Sequence, residues 1–372
     1  MKAMVLNSPK TSLQMQTLHI PKPKPGEALI KVKACGVCHT DLHVIKEEIK
    51  FPTPCVLGHE VSGELIEVND PQGTFHLKPG EKVVGTFIMP CTTCEHCHKG
   101  RDDLCSTFFD FNRVKGTLYD GQTRLFTYKN NSPIYMYSMG GLAEYCVTPL
   151  GGVYKLPDNA PLMESCILGC AVFTAFGTLK HGAQLIPGDS IAIIGAGGGI
   201  GLNCVQLASK VFGASKIIAI DMSDEKLSLA KAFGATDLIN PRNDDPIKKL
   251  MDITNGKGVD VCVEALGKKA TVEQSINLVK DGGKAVITGI APIWEKADLE
   301  LTRLVRRQIR IVGSYGARAR QDVPVIMSLV EKGLINVTGG GISRVFSLEE
   351  AGKAYDLLAE GKINGRAIIK IS

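Results

Sequence analysis

Four cysteines, Cys91, Cys94, Cys97 and Cys105, stand at the spacing C-x2-C-x2-C-x7-C. Four thiolates this close in sequence can close a tetrahedral shell around zinc at Zn–S distances of about 2.3 Å, with no position left for water or substrate. Such a site is structural and pins a loop lobe that lacks its own core. His96 and His98 lie inside the lobe and read as solvated bystanders. A second set of donors is scattered over Gly36-Val37-Cys38-His39-Thr40-Asp41-Leu42-His43, Gly58-His59-Glu60 and Gly169-Cys170. A Cys–His–Cys set gives zinc three ligands and leaves one place open, which suits a Lewis acid acting on a carbonyl or alkoxide oxygen. Spacing alone does not connect these residues, and Cys170 by itself reads more simply as a buried thiol. A third cluster is Gly195-Ala196-Gly197-Gly198-Gly199-Ile200-Gly201. Small residues in the register Ala196, Gly198, Gly201 let a backbone approach a pyrophosphate at the positive end of a helix. Asp221 follows twenty residues after Gly201. A carboxylate there accepts hydrogen bonds from ribose hydroxyls and repels a 2′-phosphate, so NAD(H) is favoured over NADP(H). Met222-Ser223-Asp224 holds no Arg to welcome that phosphate, and Lys226 is a candidate ribose contact.

The elements that must position these residues fall into two kinds. The first ~170 residues are strand-rich and punctuated by Gly and Pro, with strands expected at 28–34, 61–68 and 82–88. Beyond residue 172, short apolar strands at 190–194, 216–220, 237–239, 259–263, 284–288 and 309–312 alternate with helical segments. Six strands with helical crossovers predict a parallel, doubly wound α/β sheet, with the glycine cluster between its first strand and a helix reaching about residue 211. Ser347-Leu348-Glu349-Glu350 is a capping-box signature, Gly361 ends the helix it opens, and 366–371 is a closing strand. With 43 basic and 38 acidic residues and no basic stripe interleaved with aromatics, the composition argues against nucleic acid as a partner. No apolar run is read as reaching the ~18–20 residues of a membrane span. No signal segment is recognised, so the twelve cysteines are expected in a reducing compartment, the cytoplasm, where clustered thiols bind metal rather than pair.

Taken in order, Gly36-Val37-Cys38-His39-Thr40-Asp41, Gly58-His59-Glu60, the four-cysteine lobe and the glycine turn resemble the zinc-dependent medium-chain alcohol dehydrogenases over essentially the whole chain. That resemblance implies a GroES-like, β-barrel-type catalytic domain over 1–171 and 316–372, a Rossmann domain over 172–315, and an active site in the cleft. It implies two zinc ions per chain. The catalytic ion takes Cys38, His59 and Cys170, with Cys166 the competing third ligand and Glu60 a transient one. It gives Thr40 the hydroxyl that meets the substrate oxygen, and His43 the end of a proton path through the nicotinamide ribose. Asp41 becomes the carboxylate that orients a metal ligand. His39 and Arg366 are placed near the cofactor phosphates, Thr174, Gly289 and Ile290 near the nicotinamide, and Gly199 and Ile200 in the phosphate turn. A homo-oligomer, dimer or tetramer, paired through the last Rossmann strand, is also implied.

The segment 108–145 and Val312-Gly313-Ser314-Tyr315-Gly316-Ala317-Arg318-Ala319-Arg320 most resemble a subgroup holding archaeal succinic semialdehyde reductases and plant plastid alcohol dehydrogenase-like proteins. The expected reaction is hydride transfer between NAD(H) and a primary alcohol or aldehyde, with succinic semialdehyde reduction to 4-hydroxybutyrate as the leading case. General primary-alcohol, aromatic-alcohol, polyol and thiol-adduct substrates stay open. A semialdehyde carboxylate calls for a guanidinium or ammonium, and Arg113, Lys115 and Arg318 are the candidates by position. The remoter alternatives are a zinc-free quinone or enoyl reductase and a zinc-ribbon binding module.

Overall fold

The computed structural model describes residues 1–372. Two compact units emerge, Met1–Phe173 with Arg318–Ser372, and Thr174–Ala317. Each junction falls two residues beyond the expected boundary.

The first unit is built on the strand Glu27–Val37, whose side chains are buried along almost its whole length. It pairs antiparallel with Val61–Asn69, Tyr145–Pro149 and Arg366–Lys370, inside a seven-stranded sheet. A second sheet of five short strands begins with Lys2–Leu6 and Gln14–Thr17. The long strand ends directly at Cys38, whose extended backbone (φ −122°, ψ 147°) starts the helix His39–Ile45. Its partner strand Val61–Asn69 is entered from His59-Glu60. Gly36 has no side chain because a Cβ there would stand 2.1 Å from Glu60 Oε2. The strand expected over 82–88 stops at Gly85. From Thr86 the backbone leaves the ladder, donating to Gly152 O (2.8 Å) and, at Phe87, to Gly169 O (3.0 Å), so the 169–170 step is tied beside it. Ser347 and Glu350 form the expected capping box ahead of the helix Ala351–Ala359, and Gly361 at φ +72° closes it.

The second unit is a six-stranded sheet, all parallel, in the spatial order Asp237–Ile239, Lys216–Ile220, Ser190–Ile194, Val259–Glu264, Val279–Ile287, Arg310–Gly313. The chain winds outward from Ser190–Ile194 to one edge, then crosses back to Val259–Glu264 on its other side. The glycine turn therefore leaves the carboxyl end of the strand where winding reverses, the place where such sheets bind ligands. Ala192, Ile194, Ile218, Ile220, Cys262 and Ala285 form the apolar core of the sheet. The strand expected at 284–288 starts earlier, at Val279, because an irregular pairing with Val259–Glu264 continues past the turn at Gly282 (φ +74°).

One expectation needs correction. Glu164–Ala183 is long and apolar enough to cross a membrane, and 83% of its most apolar window is buried inside the protein. The run is broken into the 3-10 segment Glu164–Gly169, the helix Ala171–Gly177 and the π-helical turn Thr178–Ala183. Its apolar residues are explained by that burial within the fold.

Candidate metal centres and dinucleotide turn

Cys38, His59, Glu60 and Cys170 come from three separate stretches, and their donor atoms lie within 4.8 Å of one another, all buried. Cys166, the competing third thiol, is buried outside this group. His59 Nε2 is buried with no hydrogen-bond partner. Its other nitrogen, Nδ1, is 2.9 Å from Asp41 Oδ1. Asp41 is fully buried and also accepts from Gly58 N (3.2 Å) and Tyr355 Oη (2.9 Å). The carboxylate thereby fixes the tautomer that leaves Nε2 free for a metal.

The electrostatics agree. A hydrogen bond from the Cys170 thiol, aided by Arg366 and His59, holds Cys38 well below the usual thiol range. Cys170 is pushed well above it by the same hydrogen bond and by burial. Burial opposes a charged imidazole at His59, yet Asp41 and Cys38 outweigh it and push the ring up to about 10. Burial raises the Glu60 carboxyl to about 7 against the pull of Arg366. A pocket that draws protons onto a histidine is short of positive charge, and two soft thiolates with an imidazole select zinc. The donor set fits a catalytic zinc ion.

Thr40 Oγ1 is 3.6 Å from Cys38 Sγ. His43, one turn along the same helix, has Nδ1 2.5 Å from Glu48 Oε2. His39 opens that helix at the surface. Arg366 lies buried against Glu60, with Nη2–Oε1 at 2.5 Å and Nε–Oε2 at 3.2 Å. Both oxygens of Glu60 are thus engaged by a guanidinium. This pairing, Tyr355 on Asp41 and Glu48 on His43 were not read from the sequence. Arg366 and Tyr355 are more than 300 residues from their partners and leave no local signal.

The four lobe cysteines also converge within 4.8 Å. Cys91 and Cys97 Sγ are 4.0 Å apart, Cys94 and Cys105 Sγ 3.9 Å. A tetrahedron with Zn–S of about 2.3 Å has edges of about 3.8 Å, so the lobe fits zinc as it stands. Backbone N–H groups of Cys91 and Phe108 donate to Cys105 Sγ at 3.3 and 3.4 Å, and that of Cys94 donates to Cys91 Sγ at 3.3 Å. Arg320 anchors the lobe through Asp102 (2.7 and 3.0 Å) and the Cys97 carbonyl.

In the other unit, Gly198 caps the helix Gly199–Lys210 without a side chain, leaving first-turn N–H groups for an anion. Gly201 is obligatory, since a Cβ would meet Gly195 O at 2.1 Å. Ala196 is buried in the turn and Ile200 half-buried. Asp221 Oδ2 accepts from Gly197 N at 3.1 Å, which sets the carboxylate against the turn. Lys226 packs there too, its Cβ 2.2 Å from where a Gly197 Cβ would be. Gly289 faces the Leu266-Gly267 backbone so closely that a Cβ would meet Gly267 N at 2.1 Å, and Ile290 follows it. Glu264, fully buried, accepts from Leu266 N (2.9 Å) and Thr271 Oγ1 (2.7 Å) and holds that bend. Thr174 is buried in the helix Ala171–Gly177. The glycine cradle fits a dinucleotide.

Comparison with known proteins identifies the family. Residues 24–158 match the alcohol dehydrogenase GroES-like domain, and 199–332 the zinc-binding dehydrogenase family. S-(hydroxymethyl)glutathione dehydrogenase of Escherichia coli O1:K1 is 34% identical over 366 residues, covering 97% of each chain. Benzyl alcohol dehydrogenase of Acinetobacter calcoaceticus superposes with a TM-score of 0.91 at 29% identity, covering 100% of this chain and 99% of that one. Alcohol dehydrogenase TADH from Thermus sp. ATN1 gives 0.84 at 28% identity and covers all of both. By these two domain matches and relatives, and with two clusters of thiols able to hold a metal and a glycine turn at the reversal of a parallel sheet, the chain belongs to the zinc-dependent medium-chain alcohol dehydrogenases.

Proposed function

We propose that this zinc alcohol dehydrogenase works with NAD(H) and reduces a short aldehyde that carries a carboxylate, succinic semialdehyde being the reference substrate. One observation carries the reaction: Cys38, His59 and Cys170 converge with Thr40 Oγ1 only 3.6 Å from a ligand sulfur. When bound, zinc supplies Lewis acidity to the substrate oxygen and the nicotinamide supplies the hydride. The chain's own residues do the rest. Asp41 aims His59 at the metal. Arg366 neutralises Glu60, so that two thiolates rather than three anions face the ion. Thr40 holds a proton at the substrate oxygen. His43, partly exposed and held by Glu48, exchanges protons with solvent. Asp221 on the glycine turn supports NAD(H). Cys38, His59 and Cys170 count against the zinc-free reductase reading, and the family against the binding module.

The test begins with metal analysis, where two zinc ions per chain are expected. NADH-dependent reduction of succinic semialdehyde is then compared with butyraldehyde, which shares the reacting group. A kcat/KM ratio of ~100 corresponds to ~2.7 kcal/mol in the transition state. A ratio near one removes the semialdehyde and leaves the zinc chemistry standing. The E. coli relative's name makes the glutathione–formaldehyde adduct the second substrate to assay.

We also propose a homo-oligomer. The edge strand Arg310–Gly313 has one free side, and Trp294, Leu301 and Val305 in the same unit are 60%, 68% and 74% exposed. Sedimentation at a monomer mass would refute it.

A further inference from the structure

The helix His39–Ile45 carries Thr40 and His43 three residues apart, so the two side chains share one face. The end of that helix is folded back on itself. Lys46 N donates to Leu42 O and Val44 O, and the chain then turns at Glu47, whose φ of +61° lies in the left-handed region that favours glycine. The turn returns the next residue to the helix. Glu48 N donates to His43 O at 2.8 Å, and Glu48 Oε2 stands 2.5 Å from His43 Nδ1. One residue therefore grips both the carbonyl and the ring of His43.

Lys10 holds the turn from outside. It donates its N–H to Ile45 O at 2.7 Å and its ammonium to Glu47 Oε2 at 2.8 Å. The two neighbouring carboxylates are thus divided: Glu47 takes the lysine, and Glu48 is committed to the imidazole. The His43 and Glu48 side chains are 15% and 25% exposed, so the pair stands at the rim of the protein, ordered yet open to water.

We propose that Glu48 is a positioning residue for proton transfer, which fixes His43 in the tautomer that carries its hydrogen on Nδ1 and keeps Nε2 as a base. This rests on the reading of His43 as the solvent end of the proton path and names what sets its ring. A carboxylate only accepts, so the hydrogen between the two groups belongs to Nδ1, and the lone pair stays on Nε2. The same logic lets a carboxylate hold the imidazole of a serine hydrolase in its working tautomer. In alcohol oxidation the hydroxyl proton released at Thr40 is taken up at Nε2, while the hydride leaves with the cofactor. The imidazolium so formed is paired with Glu48, then gives one proton to water, and the neutral Nδ1–H ring is restored. Reduction runs the same transfers in reverse. A plain helix stop needs only the Glu48 N–H, which any residue but proline supplies, so replacing the side chain tests the ring contact alone.

The experiment compares zinc-loaded wild type with Glu48→Gln, Glu48→Asp and His43→Gln. The first readout is the 15N spectrum of protein labelled at its eight histidines, taken without cofactor. His43 is assigned by the signals missing from His43→Gln. Wild type should show Nδ1 protonated and Nε2 bare, and Glu48→Gln should show both tautomers, because an amide can donate or accept. The second readout is oxidation of butan-1-ol, which does not depend on a substrate carboxylate. In Glu48→Gln kcat should fall about tenfold, with KM for NAD and for the alcohol changed less than about twofold. Glu48→Asp, one carbon short of the ring, should lie between. A His43→Gln enzyme as fast as wild type overturns the reading of His43 and this proposal with it. A slow His43→Gln beside an unchanged Glu48→Gln overturns the role of Glu48 alone, and so does a wild-type ring protonated on Nε2. A raised KM at unchanged kcat would make the pair a structural clasp and also overturn it. Should Glu48→Gln not fold, Glu48→Asp decides: an intermediate kcat supports the proposal, and a wild-type kcat overturns it.

Discussion

Asp41 touches neither substrate nor metal, and its replacement gives a sharp test of how the catalytic zinc is held. The carboxylate is fully buried and receives three donors: His59 Nδ1 at 2.9 Å, Tyr355 Oη at 2.9 Å and Gly58 N at 3.2 Å. In Asp41→Asn the shape is kept. The amide oxygen still serves His59 and Gly58, and the amide nitrogen can donate to Tyr355, whose hydroxyl accepts as readily as it donates. The fold therefore loses little. What disappears is the negative charge behind the imidazole. Removing such a partner of a metal ligand typically weakens the metal tenfold to a hundredfold, or ~1.4–2.7 kcal/mol. The assay is zinc release to a chromophoric chelator. Wild type should give up its two ions in two phases, and only the phase of the Cys38–His59–Cys170 site should weaken in the variant. The Cys91–Cys105 lobe is the internal control. Unchanged release of both ions, or equal weakening of both, would refute the role given to Asp41.

Three further outcomes are expected. Cys38→Ser should abolish turnover at nearly unchanged Tm, whereas Cys97→Ser should lower Tm by several degrees; equal melting temperatures would contradict the division into catalytic and structural sites. Asp221→Ser should lower the NADH:NADPH ratio of kcat/KM at least tenfold, ~1.4 kcal/mol, and an unchanged ratio removes Asp221 from the cofactor site. Asp260 accepts from Ser190 N (3.0 Å) and Ser190 Oγ (2.7 Å) and pairs with Lys280. Burial opposes its charge, but these partners outweigh burial and hold its carboxyl below the ordinary 3.8. A depressed value stabilises the fold at higher pH and loses that effect on acidification. Asp260→Asn should therefore lower Tm at pH 7, and the gap to wild type should close as pH falls below 3.8. A gap independent of pH in denaturation scans would count against the ion pair.

Local chemistry was legible in the sequence, and distant chemistry was not. The cysteine lobe needs only a short loop, so its spacing alone announces a metal. The strands at 190–194, 216–220 and 237–239 each carry a short apolar run behind a polar first residue, and they form as read. The edges were harder. Strand 82–88 is cut at Gly85 by hydrogen bonds to Gly152 and Gly169, partners that no local pattern names. Likewise the apolar run at 164–183 does not stand out as a span-length segment because Glu164, Ser165 and Thr178 interrupt it. Cys38, His59 and Cys170 sit at the end of one strand, the entrance of another and the end of a 3-10 segment. Only resemblance joined them.

The two metal sites differ in the order in which synthesis can complete them. All four lobe cysteines have left the ribosome once residue 105 emerges, and their ligand shell needs nothing later. The catalytic site is drawn together by Cys170, then Tyr355 on Asp41, then Arg366 on Glu60, a pairing across 306 residues. At ~5–20 residues per second, some 15–50 s separate the two events. The lobe can thus take its ion while the rest of the chain is being made. The ligands Cys38, His59 and Cys170 are all made by residue 170, but Tyr355 and Arg366, which support Asp41 and Glu60, come last. A nascent chain stalled before residue 340 should therefore hold its lobe ion more tightly than its catalytic one.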